Sequence, residues 1–132
     1  MVKQVIVMRK DLNMRKGKMI AQGAHASMKV ILDMMIKQYN GPNHELRLLH
    51  TVKGEPLDEW LSGLFTKIVV GVNSDFELLK AYTIAIAAGI PCALIEDAGN
   101  TEFHGHPTYT CCAIGPDEAE KIDKITGDLP LL

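Results

Sequence analysis

The chain has 132 residues, 47% of them hydrophobic, and a formal net charge of −2. This length suits one domain with a buried core, and the hydrophobic content excludes a disordered chain. The apolar runs are too short to cross a bilayer, and the amino end lacks the apolar stretch of a signal peptide. Three cysteines without disulfide or zinc spacing favour a reducing compartment. We therefore expect a cytoplasmic protein in which residues 1–132 form a single domain.

The charge is distributed unevenly along the chain. Residues 1–37 carry a net charge of +6, and the remaining residues carry −8. A basic patch on an acidic body can draw a polyanion to one face of a protein. Uneven charge also occurs without such a partner, so the asymmetry favours a nucleic-acid ligand without proving one.

Hydrophobic periodicity predicts the following elements in chain order. They are a central strand (3–8), a long helix (16–39), an unpatterned segment (40–56), a short helix over Trp60 (57–64), a strand (67–72), a helix (74–89), two strands (92–95 and 110–114) and a last helix (117–124). The unpatterned segment is expected to be irregular or to contain a short extra helix. Residues 67–96 form a β-α-β unit with parallel strands. The fold class is α/β, a three-layer sandwich whose mixed, mostly parallel sheet of about four strands has helices on both faces.

One edge of this sheet is the expected ligand site, because ligands gather outside the carboxyl ends of parallel strands. The start of the long helix and Asp97, at the end of the strand 92–95, both belong to that edge. A carboxylate there can orient a lysine or act as a base, or it can cap the following turn. Thr101, Thr108 and Thr110 add hydroxyl groups at the same edge, although threonine is also common in strands.

The long helix has a basic start. Arg15, Lys16 and Lys18 surround its first turn, and Arg9 and Lys10 lie just before it. The amino end of a helix carries partial positive charge, so cations there cost stability unless an anion binds. Backbone N–H groups supported by lysines form a phosphate site. These residues are therefore predicted to bind phosphate.

A polar stripe continues along the same helix. Lys18, Gln22 and His25, at i, i+4 and i+7, lie within about 60° of one another around the axis. Taken singly, each would be read as a solvated or half-buried side chain. Beside a phosphate site, their alignment indicates a functional face.

Three parts of the chain form a recognisable set: KGKMIAQGAHA at 16–26, EDAGNTEF at 96–103, and TCCAIGP with EKIDKITGDLPLL at 110–116 and 120–132. Together they resemble the type 2 peptidyl-tRNA hydrolases, small enzymes that cut the ester joining a peptide to tRNA. The matches cover both ends and the middle of the chain and leave residues 40–64 as the divergent part.

The resemblance implies hydrolysis of peptidyl-tRNA or N-blocked aminoacyl-tRNA, with release of tRNA. Carried over by position, the catalytic residues would be Lys18, His25, Asp97 and Thr110. The expected substrate contacts come from Arg9, Lys10, Arg15, Lys16, Gln22 and Thr101. The same resemblance implies no metal or organic cofactor and a homodimer. The short apolar runs predict no membrane partner.

Other functions stay open on the residues. Asn100 and Glu102 stand where the family usually has arginine and glutamine, which suits a non-catalytic RNA-binding or adaptor protein of the same fold. His104 and His106 would suit a metal hydrolase, but spacing fixes no third ligand.

A cysteine nucleophile beside His25 is a further alternative. Cys111 and Cys112 lie in a predicted strand, where core packing is the more common role of cysteine.

Overall fold

The computed structural model describes residues 1–39, 41–42 and 45–132, so Asn40, Asn43 and His44 of the divergent segment 40–64 lie outside the description. We assign His44 no role. The elements, in chain order, are β1 (Val2–Arg9), α1 (Lys16–Met34), β2 (Ile36–Tyr39), β3 (Glu45–Leu48), α2 (Pro56–Ser62), β4 (Lys67–Val72), α3 (Asp75–Ala87), β5 (Cys92–Asp97), β6 (Thr108–Glu118) and α4 (Ala119–Thr126). None of the described helices is long and apolar enough to cross a membrane.

The main sheet has the strand order β4-β1-β6-β5. Strand β1 pairs in parallel with β4 and antiparallel with β6, and β6 pairs antiparallel with β5. Three strands therefore run in one direction and β6 opposes them, which confirms the mixed sheet of four strands. The two strands of the β-α-β unit, β4 and β5, run parallel as predicted, but they lie at opposite edges of the sheet.

Apolar side chains cover both faces of the sheet. On one face, α3 and α4 pack on the sheet through residues such as Leu78 and Ile122. On the other face, α1 packs on the sheet through Ala26 and Val30. Strand β1 is buried on both sides, as expected for a central strand. The predicted layers are therefore present.

The first helix is shorter than predicted. Helix α1 ends at Met34 instead of Tyr39, because Met35 is extended and residues 36–39 pair antiparallel with residues 45–48. The prediction of an irregular or helical segment after Tyr39 is wrong for 45–48, which form β3. We call β2 and β3 together the β2–β3 ribbon. Ile36 and Tyr39 favour strands, but only their pairing partners decide the outcome.

The last strand is longer than predicted. Strand β6 continues through Gly115 and Pro116 to Glu118, and α4 begins at Ala119 instead of Asp117. Its pairing with β1 shifts register between Lys3 and Val5, so an irregular stretch accommodates the proline.

The remaining elements follow the sequence closely. Trp60 of α2 is buried and donates to the Thr66 carbonyl at 2.8 Å. The Ser74 hydroxyl caps α3 by accepting from the Glu77 N–H at 3.0 Å, as the Ser-x-x-Glu spacing predicts. The apolar end of the chain, residues 129–132, lies along the edge of β4, where the Gly71 N–H donates to the Pro130 carbonyl. This end of the chain thus protects an edge that would otherwise be open to another strand.

Candidate active site

The polar residues of the sequence converge on one edge of the sheet. Strands β1 and β5 end there, the antiparallel strand β6 begins there, and α1 starts above it. Asp97 is the last residue of β5, and Thr110 is near the start of β6. The topology therefore places Asp97 and Thr110 beside the basic start of α1.

Lys18 and Asp97 form the centre of the site. The Lys18 ammonium donates to Asp97 Oδ1 at 2.8 Å and to the Thr101 hydroxyl at 2.9 Å. Both charged side chains are mostly buried, with 15% and 14% of their surfaces exposed. A cation and a carboxylate are thus held together at the rim of the sheet, with one exposed hydroxyl beside them.

Asp97 also caps the turn that follows it. The Gly99 N–H donates to Asp97 Oδ2 at 2.8 Å. The hydrogen bond from Lys18 is the main reason that the pKa of the Asp97 carboxyl lies below its usual range. Burial opposes that effect, and the Gly99 and Gln22 hydrogen bonds add to it. Asp97 therefore carries a negative charge at neutral pH.

A buried hydrogen-bond chain links Thr110 to Asp97. The Thr110 hydroxyl donates to Gln22 Oε1 at 2.5 Å, and Gln22 Nε2 donates to Asp97 Oδ1 at 3.2 Å. Thr110 is fully buried and Gln22 almost so. Because the hydroxyl donates to the amide oxygen, the amide nitrogen faces the carboxylate. Thr110 is thus linked to Asp97 by two hydrogen bonds through the Gln22 amide.

His25 lies apart from these hydrogen bonds. Its side chain is exposed and lines a separate cleft between α1, β5 and the β2–β3 ribbon. The helical spacing correctly places it on the same side of α1 as Lys18. Its neighbours in the cleft include Lys29 and Ile95.

The basic residues before α1 differ in their freedom to bind anions. Arg9 pairs with both carboxylate oxygens of Asp11, at 3.0 and 2.6 Å, and donates to the Tyr109 carbonyl. The Lys10 side chain crosses over Gly71 and is exposed. Arg9 is therefore held in a fixed position, whereas Lys10 reaches solvent.

Arg15 and Lys16 begin the helix. Arg15 is the N-cap residue, its side chain makes no capping hydrogen bond, and the first turn of α1 has no acidic residue. The Arg15 side chain is 90% exposed and lies 3.8 Å from the Glu102 carboxylate. The helix thus keeps the basic, uncapped start that the sequence indicates.

The sequence predicts only some features of the loop between β5 and β6. Gly99 has a left-handed φ of +84°, and a Cβ atom there would overlap the His106 carbonyl oxygen. The Gly105 N–H donates back to the Gly99 carbonyl at 2.8 Å. Phe103 lies with its ring centroid 5.6 Å from Lys18 Nζ. The Asp-Ala-Gly turn was the available signal for Gly99, whereas no pattern indicated Phe103.

The two alternative chemistries find little support. Burial raises the pKa of the Cys111 thiol to about 11 and raises that of Cys112 further, so both thiols are protonated at neutral pH. Among the residues that the structure describes, His, Cys, Asp and Glu side chains form no group of three suited to a metal ion. His104 and His106 thus lie in an exposed loop without a ligand set.

The fold and the site define an α/β protein with a lysine-carboxylate cluster at a basic strand edge, an arrangement suited to polyanionic substrates. A family profile described as "Peptidyl-tRNA hydrolase PTH2" matches residues 2–132. The chain therefore belongs to the PTH2 family of peptidyl-tRNA hydrolases.

Relatives over the full length support this assignment. A protein named peptidyl-tRNA hydrolase from Methanocaldococcus jannaschii is 44% identical over 131 residues, which cover 99% of this chain and 100% of that one. One of the same name from Sulfurisphaera tokodaii is 45% identical, with 98% of each chain covered. A structure of a protein of unknown function from Agrobacterium tumefaciens C58 has a TM-score of 0.56 at 11% identity and covers 99% of this chain and 97% of that one. That likeness concerns the fold alone.

Proposed function

We propose that this protein hydrolyses the ester bond of peptidyl-tRNA, the activity for which its family and its relatives are named. The observation that carries the proposal is the Lys18–Asp97 pair, held at the strand edge beside the basic start of α1. Residues 1–132 act as one peptidyl-tRNA hydrolase-like domain, and the family match over 2–132 supports this view.

Hydrolysis requires a water oxygen to attack the ester carbonyl carbon while the bond to the ribose oxygen breaks. One proton of the water ends on the ribose oxygen, and the peptide leaves as a carboxylic acid. Asp97 accepts a hydrogen bond from the water and orients it. Since its pKa is low, Asp97 is a weak base, so orientation is its main contribution.

Lys18 supplies the electrostatic part of the reaction. The negative charge that develops on the carbonyl oxygen needs a donor placed in advance. The ammonium is fixed by Asp97 and Thr101. Thr101 is exposed, so substrate can reach the pair from its side. Loss of one such donor typically slows turnover by about 10²–10³-fold.

The other site residues position these groups or the substrate. Thr110 and Gln22 hold the orientation of Asp97 through their buried hydrogen bonds. His25, two turns along α1 from Lys18, contacts the substrate near its tRNA terminus. The phosphate contacts come from Lys10, Arg15 and Lys16, with Arg9 fixed beside them by Asp11.

The test is release of N-acetyl amino acid from N-acetylaminoacyl-tRNA. We expect turnover by the wild type and losses of at least about 10²-fold in kcat for Lys18→Ala and Asp97→Asn. Lys80→Ala, on α3 at the opposite face of the sheet, is the matched control. A wild type that binds tRNA without hydrolysing the ester would instead support the adaptor function.

The compartment and the assembly state belong to the same proposal. Peptidyl-tRNA arises in translation, and the three cysteines are free thiols, so we place the protein in the cytoplasm.

A homodimer is supported by the family resemblance and by an apolar groove of about 900 Å³ between α1 and α2. Ile20 and Phe65 line the groove, and Leu64, 93% exposed, immediately precedes Phe65. A groove next to a protruding side chain suits a two-fold interface. Sedimentation should show a wild-type dimer and a Leu64→Glu monomer, and a monomeric wild type would contradict the assembly.

A further inference from the structure

The β2–β3 ribbon carries an arrangement of charges that costs stability. Lys37 and Arg47 are direct cross-strand partners in the ribbon. Like charges opposite one another destabilise an antiparallel pair. Glu45 lies 3.2 Å from Arg47 and 3.8 Å from Lys37 and offsets this repulsion in part. Two cations on a single carboxylate leave the ribbon face with excess positive charge.

The same face carries an aromatic side chain. Tyr39 follows Lys37 by two residues in β2 and therefore points to the same side of the ribbon. Its side chain is largely exposed, at 73%. Exposed aromatic rings beside cations are typical of surfaces that bind single-stranded nucleic acid, because bases stack on the rings.

The ribbon faces α1 across a cleft of about 550 Å³. His25, Lys29 and Asp33 contribute to the α1 wall, and Lys37 and Arg47 belong to the ribbon wall. Lys29 is 3.1 Å from Asp33, but both side chains are about half exposed. Such exposed ion pairs contribute little to stability, so these cations can exchange their partners for phosphate.

The cleft continues the proposed active site. Lys18, His25 and Lys29 lie within about 40° on one side of α1, and the helix rise separates Lys18 from Lys29 by about 16 Å. That length corresponds to on the order of five stacked nucleotides. On the strand side, Ile95 of the cleft precedes Asp97 by two residues on the same face of β5.

We propose that this cleft binds the phosphate backbone of the tRNA strand that carries the ester. The inference rests on the proposed function and extends it to residues 36–39 and 45–48 of the ribbon. Lys37 and Arg47 bind phosphates, Tyr39 stacks on a base, and His25 and Lys29 lie between them and Lys18. Arg47 of the divergent segment 40–64 thereby acquires a role in substrate affinity.

The first measurement compares two substrates, full-length N-acetylaminoacyl-tRNA and the corresponding N-acetylaminoacyl ester of adenosine, which is too short to reach the ribbon. For Lys37→Gln/Arg47→Gln, kcat/KM for the tRNA substrate should fall about tenfold relative to that for the adenosine ester. The control Lys80→Gln/Lys124→Gln removes two cations from α3 and α4 and should leave the ratio unchanged. Equal changes for both substrates, or no change, would overturn the proposal.

The second measurement is equilibrium binding of deacylated tRNA between 50 and 200 mM KCl, which does not require hydrolysis. Loss of two phosphate contacts should reduce the slope of log affinity against log salt by about 1.4–1.8. An unchanged slope in a folded variant, checked by circular dichroism, would rule out the phosphate contacts. A wild type that hydrolyses neither substrate but shows the slope difference would overturn the esterase function alone.

Discussion

At the scale of single residues, the Lys18–Asp97 pair serves both stability and the proposed chemistry. Removing one partner leaves the other charge largely buried and poorly compensated. A loss of activity alone would therefore not separate a catalytic role from a structural one. Substitutions that keep the pair but alter its support, and measurements of unfolding against pH, make that distinction.

Thr110→Val tests the chain that runs through Gln22. Valine keeps the shape of threonine but removes the donor to Gln22 Oε1, so a buried acceptor is left unpaired. We expect a loss of about 1–3 kcal/mol in the free energy of unfolding. We also expect a lower kcat at nearly constant KM, because the amide no longer holds Asp97. Thr110→Ser, which keeps the hydroxyl, should recover most of kcat, and failure to do so would argue against positioning by that hydroxyl.

The pH dependence of unfolding tests the ionisation of Asp97. Its pKa is lowered in the folded protein, chiefly by the hydrogen bond from Lys18. The stabilisation is therefore complete above the unfolded pKa of about 3.9 and is lost as the pH falls through the folded value. The difference in unfolding free energy between wild type and Asp97→Asn should be constant from pH 5 to 7. In urea titrations it should shrink below about pH 4, and a difference that instead grows as the pH falls through 6 would mean a raised pKa.

At the scale of elements, the loop from β5 to β6 determines whether Asp97 and Thr101 face Lys18. Gly99→Ala adds a Cβ atom that overlaps the His106 carbonyl and imposes a strained left-handed φ. We expect a drop of more than about tenfold in kcat/KM, because the loop must move away from Lys18.

Gly54→Ala is the matched control for this loop. Gly54 has a similar φ of +86°, but its added Cβ would meet no atom of the described residues within 4 Å. It should lose about 1–2 kcal/mol of stability from strain without losing turnover. Equal activity losses in Gly99→Ala and Gly54→Ala would show that backbone strain, and not the position of the loop, is responsible.

The elements also show which features can be predicted from sequence. Lys18 and Asp97 were predictable as neighbours. Local patterns place each at the same end of the sheet, and functional groups gather outside the carboxyl ends of parallel strands. The Thr110–Gln22 contact joins residues 88 positions apart and depends on strand register. The β2–β3 ribbon depends on pairing between two short strands with exposed side chains, so no hydrophobic periodicity marks them. Helical spacing predicts the angle of His25 around α1 correctly, but the neighbours of His25 depend on the position of the β2–β3 ribbon.

At the scale of the whole molecule, the separation of charge controls how the substrate arrives. The first 37 residues carry +6, and the rest of the chain carries −8. The exposed Lys10 and Arg15 lie near the strand edge of the site, beside Gly71 and Glu102, whereas Lys16 lines the groove between α1 and α2. We expect these cations to attract a polyanion, and this attraction should weaken with salt because the Debye length is only about 8–10 Å near physiological ionic strength.

This field predicts a different salt dependence for binding and for chemistry. Between 50 and 200 mM KCl, kcat/KM for N-acetylaminoacyl-tRNA should fall at least tenfold, because each phosphate contact contributes a slope of about 0.7–0.9. At saturating substrate, kcat should change less than about twofold, since the Lys18–Asp97 pair is mostly buried and weakly screened. For the uncharged adenosine ester, neither kcat/KM nor kcat should depend strongly on salt. If kcat and the adenosine ester also responded strongly to salt, the salt would be acting on the catalytic pair itself, and the basic edge would not be a separate binding surface.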